Sequence, residues 1–350
     1  MTTSVTTETL ANGRTYTHRT AAHCETGVTS ALFFDKGLNL SEPMIFGIGS
    51  GIFFGHLPFI KWTGLPITTF RSMPGLVFKK TAKRLNAKIY RKRFHSPQKG
   101  MDELRCVIRT GQIAAVTTNV YWLSFFPRRA RFNFSGHNFI VLYENENGFR
   151  ISDPTLLEYT TDCSAYDMER ARFARGPMEA RGLMYYPIYV NPNPDIRKAC
   201  ITGMLDTCNQ MLKIPIPLFG VKGMRYVARK IIKWPEKLGY VEACRQLAHI
   251  LRFQEEMGTG GAGFRYIFAA FLQEASELFG SKELNELSNE MTVIGDTWRE
   301  FAVVSSRIIK QRKSKREETF DKAGGLMLIC AGKEEQLFKD LRDVISTLKT

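Results

Sequence analysis

The sequence predicts an α+β protein: an N-terminal helix leads into an antiparallel sheet, and a mostly helical C-terminal domain follows. Three observations carry this. Residues 25–36 place Val28, Ala31 and Leu32 at helical spacing and stop at Gly37. Residues 112–123, 136–154 and 179–190 are rich in β-branched and aromatic side chains, and the middle segment turns back at "NENG" as a hairpin. Beyond the Pro-rich "NPNPD" at 191–195 the pattern turns helical, over 196–212, 236–257, 262–279, 282–314 and 333–349.

In chain order, residues 1–16 are Thr-rich and expected to fray. Residues 17–193 form the expected first domain and 194–350 the helical second. Ser41 is placed to cap a helix with Pro43 in its first turn. "LPITTFR" and "NAKIYRKRF", within 65–95, read as extended runs, and "SPQKGMDELRCVIRTG" (96–111) as a capped helix ending at a glycine.

The composition is that of a globular protein, with 44% hydrophobic and 24% charged residues in 350. The charge is less ordinary: 49 Lys and Arg against 34 Asp and Glu leave +15. Such a surface attracts nucleic acid, anionic lipid, phosphorylated ligands or an acidic protein. The basic runs at 79–84, 91–93, 128–131 and 310–316 lie in separate segments without a zinc finger, helix-turn-helix or RNA-binding motif, so a nucleic-acid partner is not expected. Seven cysteines, an odd number without Cys-x-x-Cys, imply reduced thiols and no metal. The N-terminus lacks the apolar core of a signal peptide, and the uncharged run 43–60 is too short and too interrupted by glycine and proline for a membrane span. A cytoplasmic protein is expected. "FGIGSGIFFG" (46–55) has neither a βαβ frame nor an acidic residue about twenty positions on, so no nucleotide cofactor is expected and tight turns are.

Cys24 stands at the start of the first helix, flanked by His23 and Glu25. A helix start stabilises a thiolate. A cysteine nucleophile also needs a base and a group to orient that base. His137 opens the strand "HNFIVLYE" and Asp153 closes the next, in "FRISDP", so a tight hairpin brings them to one open end. Cysteine at a helix start, histidine on a later strand and Asp soon after is the order of papain-like cysteine enzymes. Such enzymes carry an oxyanion-hole side chain six residues before the nucleophile; here that residue is His18, with His23 as the rival. Aromatic runs at 120–126 and 52–59 are candidate walls for an acyl tunnel, with core packing as the plainer reading. "GTGGAGFR" (258–265) sets Gly261 and Arg265 at a helix start, as the lining of an anion or acceptor site or as a plain interhelix turn.

"HRTAAHCETGVTSALFFDKGLNLSEPMIFGIGSGIFF" (18–54), "GHNFIVLYE" with "FRISDP", and "EEMGTGGAGFRYIFAAFLQEAS" (255–276) together resemble the butirosin-biosynthesis acyltransferase (BtrH) family. The resemblance implies a papain-like fold with an added helical domain, and acyl transfer rather than proteolysis. It implies an acyl-carrier-protein thioester as donor, Cys24 as nucleophile, His137 as base and Asp153 as its orienter. An amine or hydroxyl compound would be the acceptor, and a homodimer is a further expectation. The net charge suits an acidic carrier protein. The same triad also serves a cysteine hydrolase (peptidase, amidase or thioesterase). A non-catalytic carrier-binding scaffold with a structural Cys24 is the alternative from another class.

Overall fold

The structure, a computed structural model, describes residues 6–156, 159–176, 179–310 and 318–348. In chain order the elements begin with β1 (Thr7–Thr9), β2 (Thr15–Thr17), α1 (Cys24–Asp35), α2 (Glu42–Ile48), β3 (Ile52–Trp62) and β4 (Leu65–Arg71). There follow α3 (Leu76–Arg84), β5 (Lys88–Lys92), α4 (Pro97–Arg109), β6 (Ala114–Thr118), β7 (His137–Asn145) and β8 (Gly148–Ser152). β9 (Thr161–Cys163), α5 (Ala165–Phe173) and β10 (Met184–Tyr189) complete the sheet region. The rest is helical: α6 (Ile196–Leu212), α7 (Gly220–Leu238), α8 (Tyr240–Glu255), α9 (Arg265–Phe279), α10 (Lys282–Ile309) and α11 (Phe320–Leu348). The α+β class read from the sequence is the class observed.

The chain divides into two compact units, Met1–Ile45 with Thr81–Pro194, and Phe46–Lys80 with Asp195–Thr350. Residues 46–80 thus group with the helical unit, although they lie inside the span expected for the first domain.

In the first unit a six-stranded antiparallel sheet runs β5-β10-β6-β7-β8-β9 among the described residues. β6 has all five residues buried, which suits its alanines and β-branched side chains. Ala114, Val116, Phe139, Val141, Phe149 and Ile151 point to one face, with period two. There they meet Leu104 and Ile108 of α4 and Met168 and Ala171 of α5. Each such large side chain contributes about 1.5–3 kcal/mol of burial. α1 packs on β6, β7 and β10 and is buried from Glu25 to Phe33. Residues 7–9 and 15–17 are not frayed as expected: they pair as β1 and β2, and Glu8 holds Arg150 and the Tyr143 hydroxyl.

The second unit opens with the β3–β4 hairpin, whose turn is Thr63–Gly64 at φ 53° and 83°. Two central residues at positive φ match the twist of the flanking strands, and Gly64 takes that conformation without strain. The uncharged run 43–60 therefore supplies α2 and most of β3. No helix of the described residues is long and apolar enough to cross a membrane. Gly47, in the glycine run, lies under Phe271: a Cβ there would come within 2.1 Å of the ring. The helices α6–α11 enclose Phe54, Phe70, Trp298, Phe301 and Phe338. Residues 1–5 and the basic run over 311–316 lie outside the described residues, as do the last residues of the helices expected to reach 314 and 349.

Candidate active site

Cys24 is the first residue of α1, and His23 caps that helix by accepting from the Thr26 N–H. The turn before it is held by one carboxylate. Glu42 accepts from the backbone N–H of Ala22 and of His23, both at 2.8 Å, and from the Thr26 hydroxyl at 2.7 Å. A carboxylate at a helix N-terminus also faces the positive end of the dipole. Burial pushes the Glu42 pKa up against these donors. A second tie, from the Ala21 N–H to the Pro154 carbonyl at 2.8 Å, fastens the turn to the end of β8. Replacing Glu42 with alanine orphans three donors. The expected result is a loss of about 1–3 kcal/mol in unfolding free energy and roughly tenfold slower alkylation of Cys24 by iodoacetamide. Unchanged values in both assays would remove Glu42 from the account.

The half-buried Cys24 thiol donates to the Gly136 carbonyl at 3.9 Å, beside His137, whose pKa it raises. His137 Nε2 lies 2.5 Å from Asp153 Oδ2, so Nδ1 is the ring nitrogen left for the thiol. Asp153 is fully buried, and its other oxygen accepts from the Thr155 N–H at 2.9 Å and hydroxyl at 2.7 Å. Phe126, from the aromatic run, stands edge-on to the His137 ring at 5.5 Å. Burial pushes the His137 imidazolium pKa down, but the Asp153 carboxylate and the Cys24 thiol outweigh it, and the pKa is pushed up to about 10. A cation held beside a thiol favours the thiolate.

Cys24 is thus brought together with His137 and Asp153, which lie more than a hundred positions further along the sequence. The other expected site residues are not. His18 Nδ1 lies 2.7 Å from Ser152 Oγ and its Nε2 3.2 Å from the Leu156 carbonyl. Burial pushes its pKa down, so the ring is neutral and its one N–H is spent on Leu156 rather than on an oxyanion. His23 serves as the cap. Arg265 is fully buried in the helical unit: Nε and Nη2 each donate to Glu334 at 2.9 Å, and Nη1 donates to the Gly263 carbonyl. A guanidinium so occupied braces the core instead of lining a ligand site. Gly261, at φ 88°, turns the chain into that brace.

Sequence reasoning missed Asn138. Its Oδ1 is fixed by the hydroxyls of Thr117 at 2.8 Å and Tyr185 at 3.1 Å. That leaves Nδ2 to donate to the Gly136 carbonyl at 3.0 Å and to face Cys24 Sγ at 3.7 Å. Strand alternation was the available signal: a residue next to His137 on β7 turns to the opposite face, where α1 packs. Glu42, between the expected cap Ser41 and Pro43, carries no local signal of its hold on the turn before Cys24.

Residues 23–154 match the family model for butirosin biosynthesis protein H, N-terminal, and residues 166–341 match a domain of unknown function (DUF4872). No curated protein matches the chain. The first match begins one residue before Cys24 and ends one residue after Asp153, so it spans the three assembled side chains. The chain thus carries, over residues 23–154, the N-terminal domain of the butirosin biosynthesis protein H family, and it belongs over half of its length to the DUF4872 family.

Proposed function

We propose that this protein is a cysteine-dependent acyltransferase of a biosynthetic pathway, taking its acyl group from the thioester of an acidic acyl carrier protein. The observation that supports it most is the Cys24–His137–Asp153 chain at the start of α1. Cys24 attacks the thioester carbonyl as a thiolate. The tetrahedral oxyanion lies against the Cys24 N–H and the Asn138 amide, and the bond to the carrier's sulfur breaks. His137 gives its proton to the departing thiolate. In the second half an amine or hydroxyl attacks acyl-Cys24, and neutral His137 takes the proton. The Cys24 thiolate then leaves, restoring the ion pair. Exchange between thioesters is close to neutral in free energy, and amide formation makes the second half downhill.

Asn138→Ala tests the oxyanion assignment. Acylation is expected to slow by about 10²–10³-fold. Alkylation by iodoacetamide, which passes through no oxyanion, is expected to stay within about threefold. Equal losses in both would make Asn138 a support for the thiol and not an oxyanion donor.

The class of reaction is tested by isolating acyl-enzyme and adding primary amines over a range of concentrations. Amide product rising with amine while free acid falls is the expected result. Free acid alone, at every amine tried, points to a hydrolase.

A further inference from the structure

The long segment between β6 and His137 and the nearby α5 form a surface that the chemistry above does not use. Two adjoining hollows of about 570 and 510 Å³ share Tyr121 and Trp122. Arg170 and Arg175 line the first, Arg128 and Arg131 the second. None of these four guanidiniums meets a carboxylate at ion-pair distance among the described residues, whereas Arg14, Arg105, Arg150 and Arg181 of the same unit all do. The rings beside them are open to solvent: Tyr121 is 54% and Tyr166 62% exposed. Arg170 lies 4.7 Å from the rings of both Trp122 and Tyr166, which hold its guanidinium in place.

We propose that this surface docks the acidic carrier protein that brings the donor; the inference rests on the acyltransferase reading. Arginines without a carboxylate partner, set among exposed Tyr and a half-buried Trp, are the composition of interaction hot spots, and their charge complements an acidic surface. A nucleic acid fits less well, because Glu169 in one hollow and Asp167 in the other would face its phosphates. The surface is also tied to the nucleophile. Arg131 Nε donates to the Phe126 carbonyl at 2.7 Å, Phe126 packs on His137, and the same segment ends in the Gly136 carbonyl 3.9 Å from Cys24 Sγ.

The test is binding of a fluorescently labelled, phosphopantetheinylated acyl carrier protein to the full chain, measured by anisotropy at low salt. Arg128→Glu/Arg170→Glu/Arg175→Glu is expected to weaken binding at least thirtyfold. Arg229→Glu/Lys233→Glu/Lys237→Glu on α7, with the same change in net charge, is expected to stay within about threefold. Equal weakening by both triples, no binding by the unaltered protein, or tighter binding of a single-stranded RNA 20-mer would each overturn the proposal. Acylation of Cys24 by an acyl-pantetheine thioester, which has no protein to dock, reports the underlying reading separately. Equal rates in the unaltered protein and the first triple are expected. Failure in both sinks the acyltransferase reading, while the anisotropy still decides the surface.

Discussion

His137→Ala is expected to lower the acylation rate of Cys24 by about 10³–10⁴-fold, and Asp153→Asn by about 10²–10⁴-fold. The reason is the shared 2.5 Å contact: His137 carries the proton that the leaving thiol needs, and buried Asp153 keeps the ring charged and turned toward the thiol. In the alanine variant the leaving group departs as a bare thiolate and Cys24 loses its cation. Stopped-flow acylation together with iodoacetamide rates separates these effects. The asparagine variant keeps the shape and loses the charge, so its deficit reports electrostatics. A loss under tenfold in both variants would mean that another group supplies the proton. The same pair predicts a pH effect on stability. The His137 pKa stands at about 10 in the folded protein, above the 6.5 of an unperturbed histidine. Its contribution is therefore complete below about pH 6.5 and is lost as pH rises toward 10. The melting temperature of the unaltered protein is expected to fall across that window, and the fall to shrink in His137→Gln.

The largest stability effect is expected in the helical unit. Glu334→Ala leaves Arg265 as a fully buried cation without its bidentate partner and also strips the acceptor from the Trp298 indole N–H, which lies 2.7 Å from Glu334 Oε1. Removing one side of such a pair costs about 3–5 kcal/mol. Replacing both, as Arg265→Met with Glu334→Leu, removes the two charges together and is expected to cost much less. Urea unfolding of the three proteins checks this. A single variant within about 1 kcal/mol of the parent would show that the brace adds little.

Local pattern carried far in this chain. The first helix, the β7–β8 hairpin and Asp153 at its end follow from spacing and turn chemistry, and α6 lies where its period placed it, at Ile196–Leu212. Failures occur where distant partners override local cues. The run "IFFGHLPFIKW" is largely uncharged and holds a glycine and a proline, yet it pairs as β3 because β4 and α7 cover it. α7 contains Pro235 and follows a Pro-rich segment, and the first half of α11 carries "AGG", so propensity hid both. At the site, Cys24, His137 and Asp153 were legible because each sits at an element end that the sequence marks. His18 was placed by counting back six residues, which presumes one loop shape; here Glu42 and Pro154 shape the loop differently. Arg265 looked like an anion ligand because its partner Glu334 lies 69 positions away, beyond any local pattern.

Intact-protein and peptide mass spectrometry after incubation with acyl-carrier-protein thioesters of several chain types shows whether Cys24 takes the acyl group. An added mass equal to the acyl group, located on Cys24 and absent from Cys24→Ala, is expected. If no thioester leaves an adduct and Cys24 alkylates no faster than the exposed Cys106, Cys24 is not the nucleophile.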